Sequence, residues 1–185
     1  MIIEGGTGNG YSTKVTKENQ LFTYSTTISE LATISFLKAD AYTVSSTLSN
    51  IATGSCIFFF RNTDTQRSFL THKIVLGASI ATQFDIYQNS TYAASTGTAI
   101  VPVNLAAASG KVALCTCVGT VAVATVTPGK QVARYYVSAS ESIELDFGGA
   151  PILGLNNDIA IFVTNASSTN TIGVTMTGYY KEGIL

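Results

Sequence analysis

The stretch that decides the fold is SCIFFFRN, Ser55–Asn62. Alternation along a β-strand places apolar side chains on both sides of this stretch, with Cys56, Phe58 and Phe60 on one side and Ile57 and Phe59 on the other. A sheet in a monomer usually leaves one face in water, so the strand predicts cover on both faces. The cover comes either from loops and the N-terminal segment of the same chain or from a second subunit. We expect the second arrangement, an obligate symmetric oligomer.

The same period of two continues along most of the chain, and turn signals such as Pro128-Gly129 separate the runs. One helix is predicted, Ser29–Lys38, with Ser29 as its cap and Ile28, Leu31, Ile34 and Leu37 recurring every three residues. The predicted strands are Ala41–Ser46, Ser55–Asn62, Phe69–Leu76, Thr82–Gln88, Ala99–Leu105, Val112–Val118, Val132–Ser138, Ile143–Phe147, Ile159–Thr164 and Ile172–Tyr180. This pattern predicts an all-β fold, a jelly-roll-like β-sandwich of about 8–10 strands.

The chain is poor in charge. Only 11% of its 185 residues are charged, against roughly 25% in an ordinary globular domain, which favours a protein whose surface is covered. The net charge of -1 provides no positive field for nucleic acid. The uncharged interval between Asp85 and Lys111 contains polar residues and Pro102, whereas a membrane-spanning helix needs about 20 mainly apolar residues. Met1–Gly10 lacks the pattern of a secretion signal, so we expect no membrane partner and no passage through the secretory route.

The cysteines and the single histidine are predicted to be buried packing residues and not catalytic groups. Cys115 and Cys117 are parallel neighbours on one strand, a poor geometry for a disulfide. With Cys56 the count is odd, so we expect three buried free thiols. By alternation His72 shares a face with Leu70, which predicts a core or interface imidazole without an acid–base partner.

No cofactor, metal or catalytic residue is predicted. The three cysteines and His72 form a Cys3His set only on paper, because structural zinc ligands usually come as closely spaced pairs. Ser142, Glu144 and Asp146, with Asp158 in a later turn, fit the wet face of a half-buried strand better than a calcium site. The glycine-rich start lacks the Lys and the preceding strand of a phosphate-binding loop.

The two ends of the chain resemble a known group of proteins. The opening Ile3-Glu4-Gly5-Gly6-Thr7-Gly8-Asn9-Gly10, then Lys14-Val15 and Asn19-Gln20-Leu21, resembles the start of tailed-bacteriophage virion proteins of the capsid-decoration or head-fibre kind. Ala39-Asp40-Ala41-Tyr42, Gly154-Leu155-Asn156-Asn157-Asp158 and the ending Gly178-Tyr179-Tyr180 are also similar. The charged residues usual in that group around Ser29–Lys38 are replaced here by Ala32, Ile34, Phe36 and Leu37.

The resemblance implies a non-enzymatic structural component of a bacteriophage virion, a capsid decoration (cement) or head-fibre protein bound to the shell. It implies a homotrimer that contacts the major capsid protein or another virion protein, located in virions that assemble in the cytoplasm of the bacterial host. The alternative is a tail or baseplate fibre, or a host glycan-binding adhesin subunit. In that alternative, loops 88–97 and 165–170 bind sugars with the help of Tyr87 and Tyr92.

Two regions are predicted, an N-terminal attachment arm over residues 1–20 and a jelly-roll sandwich domain over residues 21–185. Closely spaced glycines do not hold a regular element by themselves, so the arm gains order only by docking. The predicted partner-binding residues are Ile3, Gly5, Gly6, Gly8, Gly10, Lys14 and Lys17.

Overall fold

The computed structural model describes residues 29–51, 54–93, 97–119, 126–164 and 169–183, and the backbone of four two-residue strands before them. In chain order the elements are β1 (Ile3–Glu4), β2 (Gly10–Tyr11), β3 (Lys14–Val15), β4 (Leu21–Phe22), α1 (Glu30–Lys38), β5 (Ala41–Ser49), β6 (Cys56–Asn62), β7 (Arg67–Ala78), β8 (Thr82–Gln88), β9 (Thr91–Tyr92), β10 (Thr98–Ala99), β11 (Val103–Asn104), β12 (Cys115–Gly119), β13 (Val126–Thr127), β14 (Lys130–Val137), β15 (Glu141–Asp146), β16 (Ile152–Leu153), β17 (Asp158–Val163) and β18 (Thr171–Glu182).

Two antiparallel sheets form a sandwich. Sheet I has the strand order β10-β12-β6-β17-β8-β14, and sheet II has the order β11-β5-β18-β7-β15, with β16 also paired to β7. The long strands pair in a nested way: β5 with β18, β6 with β17, β7 with β15 and β8 with β14. The predicted all-β sandwich is confirmed, and the nested pairing is consistent with its jelly-roll-like form.

The core lies between the two sheets and is aromatic at one end. The rings of Phe60 and Phe69 are 4.6 Å apart, and those of Phe69 and Tyr180 are 5.1 Å apart in an edge-to-face arrangement. All three side chains are buried. Such ring pairs contribute about 0.5–1.5 kcal/mol each beyond the area they bury, so they fix sheet I against sheet II.

The outer apolar face of β6, which contains Phe59, is covered by other segments of the same chain. Tyr92 in β9 stacks on Phe59 with ring centroids 5.2 Å apart, and β9 pairs with Val126 of β13. This two-stranded flap forms a second buried cluster with Cys56 and Phe162. The expectation that a second subunit covers this face is therefore wrong, and the alternative of cover by the chain's own loops is confirmed for it.

Strict alternation along β6 is also wrong. β17 pairs with Phe58 and then with Cys56, which leaves Ile57 in a β-bulge. Ile57 consequently belongs to the central core with Phe58, while Cys56 belongs to the outer cluster with Phe59.

The helix lies on the outer face of sheet II. Its predicted bounds are confirmed: Ser29 is the N-cap and accepts a hydrogen bond from the amide of Ala32. Leu31 and Ile34 pack against Ala41 and a small part of β7 and β18. The recurrence every three residues drifts around a helix of 3.6 residues per turn, so Leu37 is not part of the packed face and is 70% exposed.

Two predicted strands are wrong in extent. Ala99–Leu105 is divided at Pro102, which lacks an amide donor: Ala99 pairs with β12 in sheet I, and Val103 pairs with β5 in sheet II. The strand predicted over Val112–Val118 begins only at Cys115.

The predicted face of His72 is wrong as well. On β18, Thr177 pairs with Lys73 and Gly178 pairs with Thr71, so His72 is the extra residue of a bulge in β7. The bulge resets the alternation. Leu70 therefore faces the helix, and His72 is half-buried.

Candidate functional site

The predicted attachment residues are only partly described. Ile3 in β1 pairs with Tyr11, Gly10 in β2 pairs with Glu4, and Lys14 in β3 pairs with Phe22. Gly5, Gly6, Gly8 and Lys17, and all side chains of the arm, lie outside the described residues. Their role in partner binding stays a prediction.

The most unusual surface of the described fold is apolar and lies where α1 meets the edge of sheet II. We call it the α1–β11 surface. Five exposed aliphatic and aromatic side chains define it: Phe36 and Leu37 on the helix, and Val101, Val103 and Leu105 in and beside β11. Phe36 is 86% exposed and Val101 is 80% exposed. Isolated exposed apolar residues are common, whereas a group of this size marks a site of interaction.

The helix contributes to this surface because only one of its sides is used for packing. Phe36 lies two residues after the buried Ile34, about 200° further around the helix, and therefore points away from sheet II. Leu37 follows it in the last turn. A helix that presents polar residues on its outer side is the usual case, so these two side chains depart from the ordinary pattern of a surface helix.

The strand β11 contributes the other half. Val103 pairs with Thr43 at the edge of sheet II, and the amide of Leu105 donates to the carbonyl of Ala41 at 2.8 Å. The chain then continues through Ala106 and Ala107. Because these side chains are small, a hollow of about 490 Å³ remains between α1 and this segment, lined by Ala32, Ser35, Phe36, Leu105, Ala106 and Ala107.

Hydrogen bonds make one continuous surface of the two halves. Asn104 Nδ2 donates to the carbonyl of Ala39 at 2.7 Å, directly after the helix. Lys111 Nζ donates to the carbonyl of Lys38 at 2.7 Å and to Asp40 Oδ2 at 3.1 Å. A positive group at the helix C-terminus is favourable, and it holds the segment containing Val112 beside the helix.

The acidic groups Asp40 and Glu30 beside this surface are paired within the chain. Arg67 Nη1 donates to Asp40 Oδ1 at 2.9 Å, so Asp40 is shared between Arg67 and Lys111. At the other end of the helix, Glu30 accepts hydrogen bonds from Lys181 and from the hydroxyl of Tyr179. The hydrogen bond from Lys181, with help from Tyr179, lowers the pKa of Glu30. The surface is thus apolar, with Asp40 and Glu30 compensated at its border and Lys38 exposed in the last turn of α1.

A polar cluster around Asp85 holds β14, the edge strand of sheet I, in place. Asp85 is buried and accepts from Arg134 Nε at 2.6 Å, Thr164 Oγ1 at 2.6 Å and Gln131 Nε2 at 3.0 Å. Burial opposes the charge, but these donors outweigh it and lower the pKa of Asp85. The cluster fixes β14 to β8 and β17 and leaves Tyr136 70% exposed beside it.

The aromatic residues assigned to sugar binding in the adhesin alternative serve packing. Tyr92 stacks on Phe59, and the ring of Tyr87 meets Phe162 edge-to-face at 5.2 Å. Both are only half exposed. Part of loop 88–97 and most of loop 165–170 lie outside the described residues.

The acidic residues considered for calcium do not come together. Asp158 begins β17 in sheet I, whereas Glu144 lies on β15 in sheet II and pairs with Lys73 at 3.1 Å. Asp158 Oδ1 accepts from the amide of Ser90 at 3.0 Å. Burial raises the pKa of Asp158 despite Ser90 and nearby Arg61. Within the described ranges, no group of three His, Cys, Asp or Glu residues is placed to hold a metal ion.

The three cysteines are free thiols. Cys117 is buried in the central core and Cys115 is half-buried against it, while Cys56 lies in the outer cluster. Burial raises the pKa of Cys56 to about 12 and that of Cys115 to about 11. High thiol pKa values are the opposite of what nucleophilic catalysis needs.

The α1–β11 surface was not among the sites predicted from sequence, although a signal for it was present. Phe36 falls outside the spacing of Leu31, Ile34 and Leu37 that predicts the packed side of the helix. Its exposure depends on which side of the helix meets sheet II, and that requires the structure.

Comparisons with known proteins identify no relative: no protein family, curated protein or solved structure matches the chain. Among the described residues, no helix is long and apolar enough to cross a membrane.

Proposed function

We propose that this chain is a non-enzymatic structural component of a bacteriophage virion, a capsid decoration (cement) or head-fibre protein bound to the shell. The observation that carries the proposal is the α1–β11 surface. Its five exposed apolar side chains favour a protein that works by permanent contact with other protein. The phage assignment itself rests on the resemblance of the two chain ends to virion proteins.

The place of the arm in the chain supports the same role. The described body begins at Ser29, the cap of α1, so the predicted attachment arm precedes the helix that contributes Phe36 and Leu37. In this proposal the arm binds the shell through Ile3, the glycines and the two lysines, and the major capsid protein is its partner.

The structure gives less support to the alternative role in a tail or baseplate. A glycan-binding tail or baseplate subunit needs exposed aromatic rings, and Tyr87 and Tyr92 are used in the flap cluster. We therefore place this role second.

The test is incorporation into particles. Deleting residues 1–20 is expected to leave a folded body, because the strands of both sheets lie beyond them, and to abolish the protein's presence on purified virions. Full-length protein carrying Tyr136→Ala, a change on β14 of sheet I, is the matched control and is expected to be incorporated normally.

Mass spectrometry of washed particles gives the occupancy, and circular dichroism of the purified truncated protein checks that it is folded. Truncated protein at full occupancy would show that the body makes the attachment. Absence of the full-length protein from particles would refute the structural role.

A further inference from the structure

We propose that the α1–β11 surface is the contact between copies of this chain, and that Phe36 of each copy is seated in the hollow beside α1 of a neighbour. This deepens the proposed structural role by naming the partner of the surface. Its test needs no virion, so it succeeds or fails separately from the phage assignment.

The surface contains both a projection and a recess that fits it. Phe36 is the most exposed large apolar residue in the described chain, at 86%. Beside it lies the hollow of about 490 Å³, whose lining includes Ala32, Ala106 and Ala107. Small side chains around a recess next to an exposed ring are the arrangement by which a ridge of one helix packs into the groove of another.

The size of the surface suits a stable interface. A specific interface buries about 800 Å² on each partner, and the largest apolar patch of a typical monomer is roughly 300–600 Å². The five side chains are between 40% and 86% exposed. Side chains of this size expose several hundred Å² together, which is at or beyond the upper limit for an uncovered surface and forms the apolar centre of a standard interface.

A second copy is favoured over a different protein because the surface is apolar enough to need cover from the time of folding. Permanent interfaces resemble a domain core cut in half, whereas surfaces that wait for a later partner are more polar. Another copy of the same chain is present at equal concentration as soon as the chain folds. The shell is met only during assembly.

The border charges also suit contact between identical chains. Lys111 is paired with Asp40 at 3.1 Å, and Glu30 is paired with Lys181, all within one chain. Identical surfaces repel each other when they carry unpaired charge of one sign. Here these two pairs are compensated before the copies meet, so they add little repulsion to the contact.

The first experiment measures molar mass by light scattering at micromolar concentration. The unchanged protein is expected to be an oligomer, with three chains as the number implied by the phage resemblance. Phe36→Asp is expected to be monomeric, since it places a charge at the centre of the contact. Tyr136→Asp is the matched control: it replaces another exposed aromatic residue, 70% exposed on sheet I, and is expected to leave the oligomer intact.

A second variant tests the hollow from the opposite side. Ala107 is exposed, so Ala107→Trp is expected to fold, to fill the recess and to exclude the neighbour's ring, again giving monomers. Thermal unfolding followed by circular dichroism checks that both variants are folded. An unchanged protein that is monomeric, an oligomer that survives Phe36→Asp, or one that survives Ala107→Trp would each overturn the proposal.

Discussion

At the scale of single residues, Arg67 connects three parts of the fold. Its guanidinium donates to Asp64 Oδ2 at 2.7 Å and to Asp40 Oδ1 at 2.9 Å, and it lies 4.8 Å from the centre of the Tyr180 ring. Burial opposes ionisation of Asp64, but the amide of Gln66 and the Arg67 side chain outweigh it and lower the pKa of that carboxyl. Both carboxylates are buried; Asp40 also pairs with Lys111 at 3.1 Å, whereas Asp64 pairs with Arg67 at 2.7 Å.

Replacing Arg67 is therefore expected to be costly. Arg67→Met removes the cation paired with buried Asp64 and leaves buried Asp40 with Lys111 alone, and we expect a loss of about 3–5 kcal/mol in the free energy of unfolding, measured in urea. Lys73→Met is the control, because Lys73 and Glu144 are 37% and 57% exposed. Exposed pairs contribute about 0–1 kcal/mol, so that variant should unfold almost as the unchanged protein does. Equal effects of the two changes would contradict this account of Arg67.

At the scale of elements, the bulge in β7 brings the backbone of β18 unusually close to the core. A Cβ atom on Gly178 would lie 2.5 Å from Phe69 Cε1. It would also clash with the carbonyl oxygen of Leu70. Gly173, five residues earlier on the same strand, has no heavy atom within 4 Å of the corresponding position.

Replacing each of these two glycines by alanine is expected to change the stability differently. Gly178→Ala is expected to lower the free energy of unfolding by about 1–3 kcal/mol or more, because neither backbone nor ring moves away easily. Gly173→Ala is expected to be neutral or to stabilise by up to about 1 kcal/mol, since a glycine within a strand loses more entropy on folding. Chemical denaturation of both variants decides the matter, and a stable Gly178→Ala protein would refute the close approach.

The elements also show how far the sequence predicts this fold. The helix capped by Ser29 and the strand Thr82–Gln88 are predicted correctly, since their signals are local. The bulges at Ile57 and His72 are not predicted, because alternation contains no information about an extra residue that only the partner strand reveals. The site was missed for a related reason: the exposure of Phe36 depends on how α1 docks on sheet II.

At the scale of the whole molecule, buried neutral acids predict a fall in stability at alkaline pH. Burial raises the pKa of Cys56 from 9.0 to about 12 and raises that of Cys117 still further. An unfolded thiol loses its proton as the pH passes about 9, while the buried thiol keeps it. The contribution of each thiol is therefore complete below this pH and decreases above it.

We expect the free energy of unfolding to decrease above about pH 9 by up to about 1.4 kcal/mol per pH unit for each buried thiol. Cys56→Ala should show a shallower decrease than the unchanged protein, whatever its stability at neutral pH. Urea unfolding between pH 7 and 11 measures the slopes. Identical slopes in the two proteins would show that Cys56 does not keep its proton in the folded state.

The nested strand pairing has a consequence for how the molecule forms. β18 lies in the centre of sheet II, between β5 and β7, and its Tyr179 pairs with Ala41 far back along the chain. Until β18 has been synthesised, β5 and β7 have no neighbour on their inner edges, and the entropy of closing so long a loop must be overcome before their contacts form. Folding is therefore expected to be slow, and sheet II is expected to form only after β18 has emerged from the ribosome. A nascent chain halted before Thr171 would expose two unpaired strand edges, the condition under which β-proteins aggregate.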